Sequence, residues 1–565
     1  MIDHKHINKI ILSVTALALI ALLVFLFVFG QSTKSAASGI TMKYESSLFS
    51  SDSIIDVNVS IAQEDWEDLL ANAIKEEYYS CDVTVNGTEY KNVGFRAKGN
   101  TSLSMVAASD SDRYSFKISF DEYVDGQTCD GLSMLVLNNN YSDATMMKEA
   151  ICYDMFAFLG ADASLYNYAK VSINGEYYGV YLALEPVDES FALRNYGIDY
   201  GELYKPDSME MGGPGKMQDR DDDTANPDKS GVAAGNGNPG NFDGHGENGN
   251  LGNSDDRGGP DMPEKPDGTP PQFQGGEPPE KPQRSTDSSD ASDFPTMSDR
   301  EPPEKSDVGG RDSGGGADLT YTDDNLDSYQ SIWDGSVFDT TDKDHKRVVR
   351  ALKNICAEGA DAQILSEYMD VDNVLRYMAV QTFVVNLDSL SGNMEHNYYL
   401  YEDNSTLNII PWDYNLAFGG FQSQNASDVV NFPIDTPFAS GVSIENRQFF
   451  VSLLENDEYK AQYHEYLRQL TDEYVGGGVF ENIVSRISSQ IDDLVQTDPT
   501  SFYSYEEYAS AVKMLKETVS LRSESIKGQL EGKIPSTRSG QQEDSSTLID
   551  SSGIDLKVMG MMNNR

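Results

Sequence analysis

Basic residues are scarce in this sequence, and their scarcity excludes a large class of functions. The 565-residue chain contains 42 Lys and Arg against 92 Asp and Glu, which gives a formal net charge of −50. Because a chain this acidic repels the phosphate backbone, we expect no nucleic-acid partner. The few cations that do occur near a candidate site are therefore informative.

Cysteine is rare as well. The chain has four cysteines, Cys81, Cys129, Cys152 and Cys356, and no Cys-x-x-Cys pair, which argues against a zinc site. Their spacing leaves two alternatives open, namely free thiols or disulfides in an exported chain.

Aliphatic residues nearly vanish between positions 206 and 318, where Gly, Pro, Asp, Asn and Ser dominate. Such a composition buries too little apolar surface to offset the entropy of ordering, so we predict that this segment is disordered. Because loops of this length are unusual inside a domain, the segment either separates two domains or is a surface insertion in one.

A long apolar run, in contrast, follows Lys5, His6 and Lys9 and reads IILSVTALALIALLVFLFVFG. A run of about twenty apolar residues matches a bilayer core, so we predict a transmembrane signal anchor at 1–30 and a polar spacer at 31–52. The cations before the run place the rest of the chain outside the cytoplasm, as a single-pass protein of the cell membrane. Cleavage at SAASG is the alternative and would give a secreted protein.

The remaining sequence shows two patterns in succession. Residues 53–205 alternate apolar and polar side chains and carry two Asn-Gly pairs, which predicts strands joined by two-residue hairpin turns. Residues 319–532 have mostly helical periodicity, interrupted by one hairpin, and residues 533–565 predict a flexible tail. This order predicts an α+β chain with segregated elements.

Two carboxylates flank the predicted hairpin. Asp388 follows an apolar helix, the runs Tyr398–Glu402 and Leu407–Ile410 predict two strands, and Asp413 follows the second strand. Because a hairpin returns the chain to its start, we expect Asp413 to lie near Asp388 and Asn397. Oxygen ligands of this kind hold Mg²⁺ with help from substrate phosphates. Turn capping by the two aspartates is the alternative.

Cations cluster earlier in the chain, in the stretch GFRAKGNTSLS. Arg96 and Lys98 precede a loop with Asn100 and Ser102, and the charges and backbone N–H groups of such a loop suit a phosphate. The stretch matches neither GxxxxGK[ST] nor GxGxxG, so a hairpin loop with surface cations is the alternative.

Three further residues extend this candidate nucleotide site. Lys117 lies in the middle of the predicted strand RYSFKISFDEY, and Glu149 lies on the following helix. Phosphoryl-transfer enzymes use a strand lysine and a helix glutamate in this way to hold the α- and β-phosphates. Glu185 ends a strand in YLALEPVDESF, where the backbone of a connecting segment could hydrogen-bond an adenine edge. None of the protein-kinase signatures HRD, DFG or VAIK is present.

Five stretches in this order resemble the CotH kinase family, the spore coat protein H type of atypical kinases: FRAKGNTS, RYSFKISFD, INGEYYGVYLALEPVDESF, LDSLSGNMEHNYYLY and IPWDYNLAFGG. The resemblance covers residues 50–205 and 319–530. It implies a kinase-like two-lobed α+β fold, with a sheet-rich N-lobe and a helical C-lobe, preceded here by one transmembrane helix. It also implies binding of ATP with Mg²⁺ or Mn²⁺ and phosphorylation of a protein substrate.

The resemblance assigns roles to the site residues. Asp388 takes the catalytic role of accepting or orienting the proton of the acceptor hydroxyl, and Asp413 binds the metal. Asn397 and Asn393 are alternatives for the second metal ligand. The predicted nucleotide-binding residues are Arg96, Lys98, Asn100, Ser102 and Lys117, with Glu149 orienting Lys117 and Glu185 on the adenine side.

Two functions are compatible with these observations. The first is a protein kinase that phosphorylates Ser or Thr hydroxyls of exported, cell-surface or spore-coat proteins. The second is a catalytically inactive structural or adhesion protein of the cell envelope on the same fold. Retention of both aspartates and of the cations favours the enzyme, while the oligomeric state and the acceptor protein cannot be predicted.

Overall fold

The computed structural model describes residues 39–206, 317–442 and 444–562. The chain divides into two units, and the described residues all fall in the unit that combines 1–215 with 310–565. The predicted anchor at 1–30 lies outside the described residues, as does the predicted disordered segment apart from its two ends. Within the described ranges, no helix combines the length and the apolar character needed to cross a membrane.

Seven strands close into a barrel with the spatial order β1-β2-β3-β4-β5-β7-β6. These strands are β1 Ile55–Ser60, β2 Tyr79–Val85, β3 Thr88–Lys98, β4 Ser115–Ser119, β5 Met134–Asn138, β6 Tyr166–Ile173 and β7 Glu176–Leu184. Neighbouring strands are antiparallel except β1 and β6, which are parallel. Closure depends on β1, because its Val57 pairs with Val85 on one side and with Val171 on the other.

The two Asn-Gly turns join β2 to β3 and β6 to β7, as the sequence predicts. The φ angles are 46° and 82° at Asn86 and Gly87, and 52° and 86° at Asn174 and Gly175. Both central residues of each turn are therefore left-handed, which is the geometry that matches the twist of the flanking strands. Asparagine and glycine adopt it more readily than other residues.

A second sheet has three antiparallel strands in the order β10-β9-β8. The strands are β8 Glu202–Tyr204, β9 Tyr398–Asp403 and β10 Thr406–Pro411. Strands β9 and β10 form the predicted hairpin. Strand β8 precedes the Gly- and Pro-rich segment in sequence, yet its Leu203 pairs with Tyr401 of β9.

Helices surround the second sheet and cover the barrel. The described α-helices are α1 Lys43–Ser47, α2 Gln63–Ala71, α3 Thr101–Ala107, α4 Lys148–Leu159, α5 Glu189–Tyr196, α6 Gln330–Trp333, α7 Asp342–Ile355, α8 Ala362–Tyr368, α9 Val371–Val384, α10 Ala426–Val430, α11 Gln448–Leu454, α12 Asp457–Arg468, α13 Val479–Gln496, α14 Tyr505–Leu530 and α15 Arg538–Glu543. Shorter helical turns are Ala73–Lys75, Leu326–Tyr329, Ile444–Arg447, Gln469–Val475 and Leu556–Met559.

The predicted fold class is wrong. The N-terminal strands form a closed seven-stranded barrel and not the sheet-rich lobe of a two-lobed kinase-like fold, because β1 pairs with both β2 and β6. The elements are also less segregated than predicted, since β8 pairs with a strand from the helical part of the chain. The transmembrane helix of that prediction has no counterpart among the described helices.

Two apolar cores hold these elements together. One fills the barrel around Trp66 and Phe116, whose ring centroids are 5.9 Å apart. The other lies among α4, the second sheet and the helices that follow. A buried ion pair joins the barrel to the turn before α14, with Arg113 Nη1 2.8 Å from Asp498 Oδ2. All four cysteines are free thiols.

The C-terminal residues, predicted as a flexible tail, pack against this second core. Leu556 and Met559 are buried in it. The segment 556–562 reaches the start of α4, where the Lys148 ammonium donates to the Gly560 carbonyl at 2.8 Å. It also reaches the loop after β10, where the Met562 N–H donates to the Gly420 carbonyl at 2.9 Å.

Candidate functional site

The turn that carries Asp388 is set by the end of α9. The helix ends at Val384, and Val385 turns the chain with a left-handed φ of 49°. The buried Gln381 amide then donates to the Asn386 carbonyl, and to Ser389 Oγ at 2.7 Å and Ser391 Oγ at 2.8 Å. A polar side chain in an apolar helix thereby fixes the backbone on both sides of Asp388.

The Asp388 carboxylate has a partner on each oxygen. Oδ1 lies 2.7 Å from His396 Nε2, and Oδ2 accepts from Asn397 Nδ2 at 3.0 Å. The same Asn397 amide donates to the Asp388 backbone carbonyl at 2.9 Å. The three residues therefore form one rigid cluster just before β9, and the Asp388 side chain retains 14% of its exposure.

Asp413 follows Trp412 at the end of β10, with a left-handed φ of 60°. Burial raises the pKa of its carboxyl, and so does the negative charge of Asp388. The positive charges of Lys98 and Lys205 act in the opposite direction. The hairpin thus brings Asp413 within electrostatic reach of both Asp388 and the cations.

Glu149 is the third carboxylate of the site and lies in the first turn of α4. Its Oε2 accepts from Asn138 Nδ2 at 2.9 Å, while its buried Oε1 has no hydrogen-bond partner in the described part of the chain. Burial and the charge of Asp413 raise its pKa to about 8. Asn138 also accepts from Lys98 Nζ at 2.9 Å, so the lysine linked to Glu149 is Lys98.

Arg96 and Lys117 are direct neighbours across β3 and β4. Arg96 pairs with Glu76 at 2.8 Å and stacks over Tyr78, with 5.1 Å from its Cζ to the ring centroid. Burial, together with the charges of Arg96, Lys98 and Lys205, lowers the pKa of Lys117 to about 8. These cations therefore crowd one end of the barrel, where a bound anion would relieve their repulsion.

The loop after β3 lies beside these cations but is already engaged. The Gly99 N–H donates to Glu76 Oε1 at 3.0 Å. Asn100 is exposed and begins α3, whose first turn includes the half-buried Ser102. The Gly99 N–H is therefore not available to a phosphate.

Two predicted residues lie away from the aspartates. Asn393 is exposed and donates to Gln422 Oε1 at 3.3 Å, whereas the Asn397 amide donates to the Asp388 carboxylate. Glu185 is fully buried, and its carboxylate accepts from Arg194 at 2.6 Å and Tyr44 at 2.6 Å. Its backbone N–H donates to the Leu165 carbonyl, just before β6, so this N–H is not available for an adenine edge.

Sequence reasoning missed three residues of this site. Gln381 could have been found, because a lone amide in the apolar helix YMAVQTFVV signals a buried hydrogen-bond network. Asn138 stands at the polar end of the apolar strand MLVLN, which is a weaker signal. Lys205 carries no local signal at all, because its position depends on the pairing of β8 with β9.

The carboxylates fit a metal only together with other ligands. The described ranges contain no group of three His, Cys, Asp or Glu residues that could hold an ion. Mg²⁺, however, is usually bound by one or two carboxylates with water and substrate phosphates. The unpartnered Glu149 Oε1 next to Asp413 suits a nearby cation of this kind.

The fold and the site therefore define a protein with a closed seven-stranded barrel and helices, in which Asp413 lies within electrostatic reach of Asp388, Lys98 and Lys205. The family described as CotH kinase protein matches residues 95–243 and 305–526, so the chain belongs to the CotH kinase family, as predicted. Inner spore coat protein H of Bacillus subtilis (strain 168) is 33% identical over 93 residues, which are 16% of this chain. The matched region spans 25% of that relative's length.

Proposed function

We propose that this protein is an ATP-dependent phosphotransferase that phosphorylates Ser or Thr hydroxyls of exported, cell-surface or spore-coat proteins. The observation that carries the proposal is the position of the fixed Asp388 carboxylate, within electrostatic reach of Asp413, on which the charges of Lys98 and Lys205 also act. Family membership and the partial identity to a spore coat protein support it.

The transfer step assigns one role to Asp388. The acceptor hydroxyl oxygen forms a bond to the γ-phosphorus while the bond to the β,γ-bridging oxygen breaks, and that electron pair leaves with ADP. The hydroxyl proton passes to Asp388, whose two oxygens are oriented by His396 and Asn397. Positioning and charge neutralisation supply most of the catalysis in such reactions.

The remaining site residues hold the nucleotide. Lys98 and Lys117 neutralise phosphate oxygens, and Arg96 adds charge from β3. Asp413 and Asn397 are the residues that would bind Mg²⁺ or Mn²⁺, with further oxygens from phosphates and water. The metal supplies charge neutralisation at the transferred group. Glu149 keeps Lys98 in place through Asn138.

Transfer of labelled phosphate from ATP, with Mg²⁺ or Mn²⁺, to the chain itself and to a Ser-rich acceptor tests this proposal. We expect activity in the parent and its loss in Asp388→Asn and Asp413→Ala. Asp435→Asn is the matched control, because Asp435 Oδ1 also lies 2.7 Å from a histidine, His464 Nε2, outside this site.

The control should retain transfer. A folded parent that neither binds ATP nor transfers phosphate would contradict the enzyme and favour the alternative, a structural protein of the cell envelope on the same fold. Equal activity in the parent and both aspartate variants would leave a kinase but displace its site from the hairpin.

A further inference from the structure

Lys205 is the first residue after β8 and is held there by its backbone. Its N–H donates to the Gly335 carbonyl at 2.7 Å. A Cβ on Gly335 would lie 2.1 Å from the Lys205 carbonyl oxygen, so this approach requires glycine. The side chain of Lys205 is exposed, in contrast to the buried residues on either side of it. The backbone is thus fixed, and the side chain lies at the protein surface.

An aromatic pair brings this ammonium towards Lys98. Lys205 Nζ lies 5.8 Å from the ring centroid of Tyr399, and Lys98 Nζ lies 5.7 Å from that of Trp412. The two rings pack edge to face, with centroids 5.5 Å apart. Two lysines from different sheets therefore rest on one pair of rings, next to Asp413.

Charge around the pair favours a multiply charged anion. Lys98 donates to a neutral amide, and Lys117 donates a hydrogen bond to none of the residues that the structure describes. Arg96, Lys98 and Lys205 all lie within electrostatic reach of Lys117. Like charges held this close cost free energy, and an anion that contacts several of them removes the cost.

Lys205 and Lys98 both lie within electrostatic reach of Asp413. Since the transferred group must lie between Asp413 and Asp388, these two lysines flank the distal end of a bound polyphosphate.

We propose that Lys205 is a further phosphate-binding residue, whose ammonium contacts the terminal phosphates of a nucleoside triphosphate together with Lys98. The inference rests on the proposed function, because it takes the ligand to be a triphosphate. It adds a residue that follows β8 to a site otherwise built from the barrel, α4 and the β9–β10 hairpin.

Binding of ATP, AMP and inorganic tripolyphosphate, measured by calorimetry at fixed Mg²⁺, tests this assignment. We expect Lys205→Met to weaken ATP and tripolyphosphate by about tenfold or more and AMP by less than about twofold. Lys205→Arg should recover part of the loss. Lys353→Met is the matched control, since Lys353 Nζ also lies over a tyrosine ring, 5.3 Å from the centroid of Tyr321.

The outcomes separate this inference from the proposed function. A parent that binds ATP and a Lys205→Met variant that binds it equally well would overturn the role of Lys205 alone. Equal losses for ATP and AMP would also overturn it, because the effect would then not concern the terminal phosphates. A folded parent that binds neither ATP nor tripolyphosphate would overturn both proposals.

Discussion

The position of Lys117 among other cations destabilises the folded protein. Its pKa is about 8 in the folded protein, against 10.5 ordinarily, because it is buried beside Arg96, Lys98 and Lys205. At pH 7 the lysine is protonated in both the folded and the unfolded state, so folding moves a charged ammonium into a site that disfavours charge. Between pH 8 and 10.5 the unfolded state binds more protons, and stability therefore rises with pH.

We predict that Lys117→Met is more stable than the parent at pH 7, by on the order of 1–3 kcal/mol. The gain should shrink as the pH rises from about 8 and vanish above about 10.5, where the lysine is neutral in both states. Urea denaturation at pH 7 and pH 10 measures the two differences. An equal gain at both pH values would show that the charge is not its cause.

The two candidate asparagines make a second residue-scale prediction. We expect Asn397→Gly to raise the Mg²⁺ concentration for half-maximal transfer by about tenfold or more, because the amide next to Asp388 is lost. Glycine is chosen because φ is 60° at this position. Asn393→Gly, which removes an exposed contact to Gln422, should change it by less than about twofold.

The reverse order of effects would assign the second metal ligand to Asn393. Transfer kinetics over a Mg²⁺ titration, at saturating ATP, decide between the two. Mn²⁺ gives an independent comparison, since a ligand variant should shift both metals.

At the scale of elements, Gln381 couples α9 to both ends of the hairpin. Its amide N donates into the turn around Asp388, while its Oε1 accepts from the Tyr414 hydroxyl at 2.7 Å, one residue after Asp413. One buried side chain therefore sets the distance between the two aspartates. Small errors in such a distance reduce catalysis strongly.

We predict that Gln381→Leu lowers phosphate transfer by about tenfold or more while leaving the fold intact. Stability should fall by about 1–3 kcal/mol, because the partners of the amide remain buried without it. Tyr463→Phe is the control, since it removes buried bonds to Thr382 and Ile434 near the same helix. That variant should lose stability and retain transfer; a similar loss of transfer in both would indicate general loosening.

Local sequence patterns predicted single strands and turns well, but they did not predict that the strands close into a barrel. The Asn-Gly turns and the β9–β10 hairpin follow from neighbouring residues, and the structure has both. The barrel was not predicted, because the parallel pairing of β1 with β6 joins strands that are distant in sequence. Register between distant strands is a tertiary property.

The residues of the candidate site also differ in whether local sequence could predict their positions. The proximity of Asp388 and Asp413 could be predicted because one hairpin connects them. The strand cations could be singled out because an acidic chain seldom places cations together by chance. The predicted pairing of Glu149 with Lys117 depended on the register of α4 against the barrel, and the structure links Glu149 to Lys98 instead. Lys205 could not be predicted, since it reaches the site through β8.

At the scale of the whole molecule, the C-terminal segment 556–562 connects the two halves of the site. The Met559 carbonyl accepts from the Ala144 N–H at 3.1 Å, and the Gly560 carbonyl accepts from the buried Lys148, the residue before Glu149. In the same segment, the Met562 N–H donates to the carbonyl of Gly420, which lies in the loop that follows Asp413. Segment 556–562 therefore connects α4, which carries Glu149, with the loop that follows Asp413.

We predict that removal of residues 556–565 destabilises the protein by several kcal/mol. The buried Lys148 ammonium loses an acceptor, which costs about 1–3 kcal/mol, and burial of Leu556 and Met559 is lost at about 1.5–3 kcal/mol each. Amide exchange at Ala144 should accelerate, and ATP binding should weaken as α4 loosens. Lys557→Ala, an exposed change in the same segment, should alter none of these. Unchanged protection of Ala144 in the truncated chain would contradict the bridge, because its N–H would then not depend on Met559.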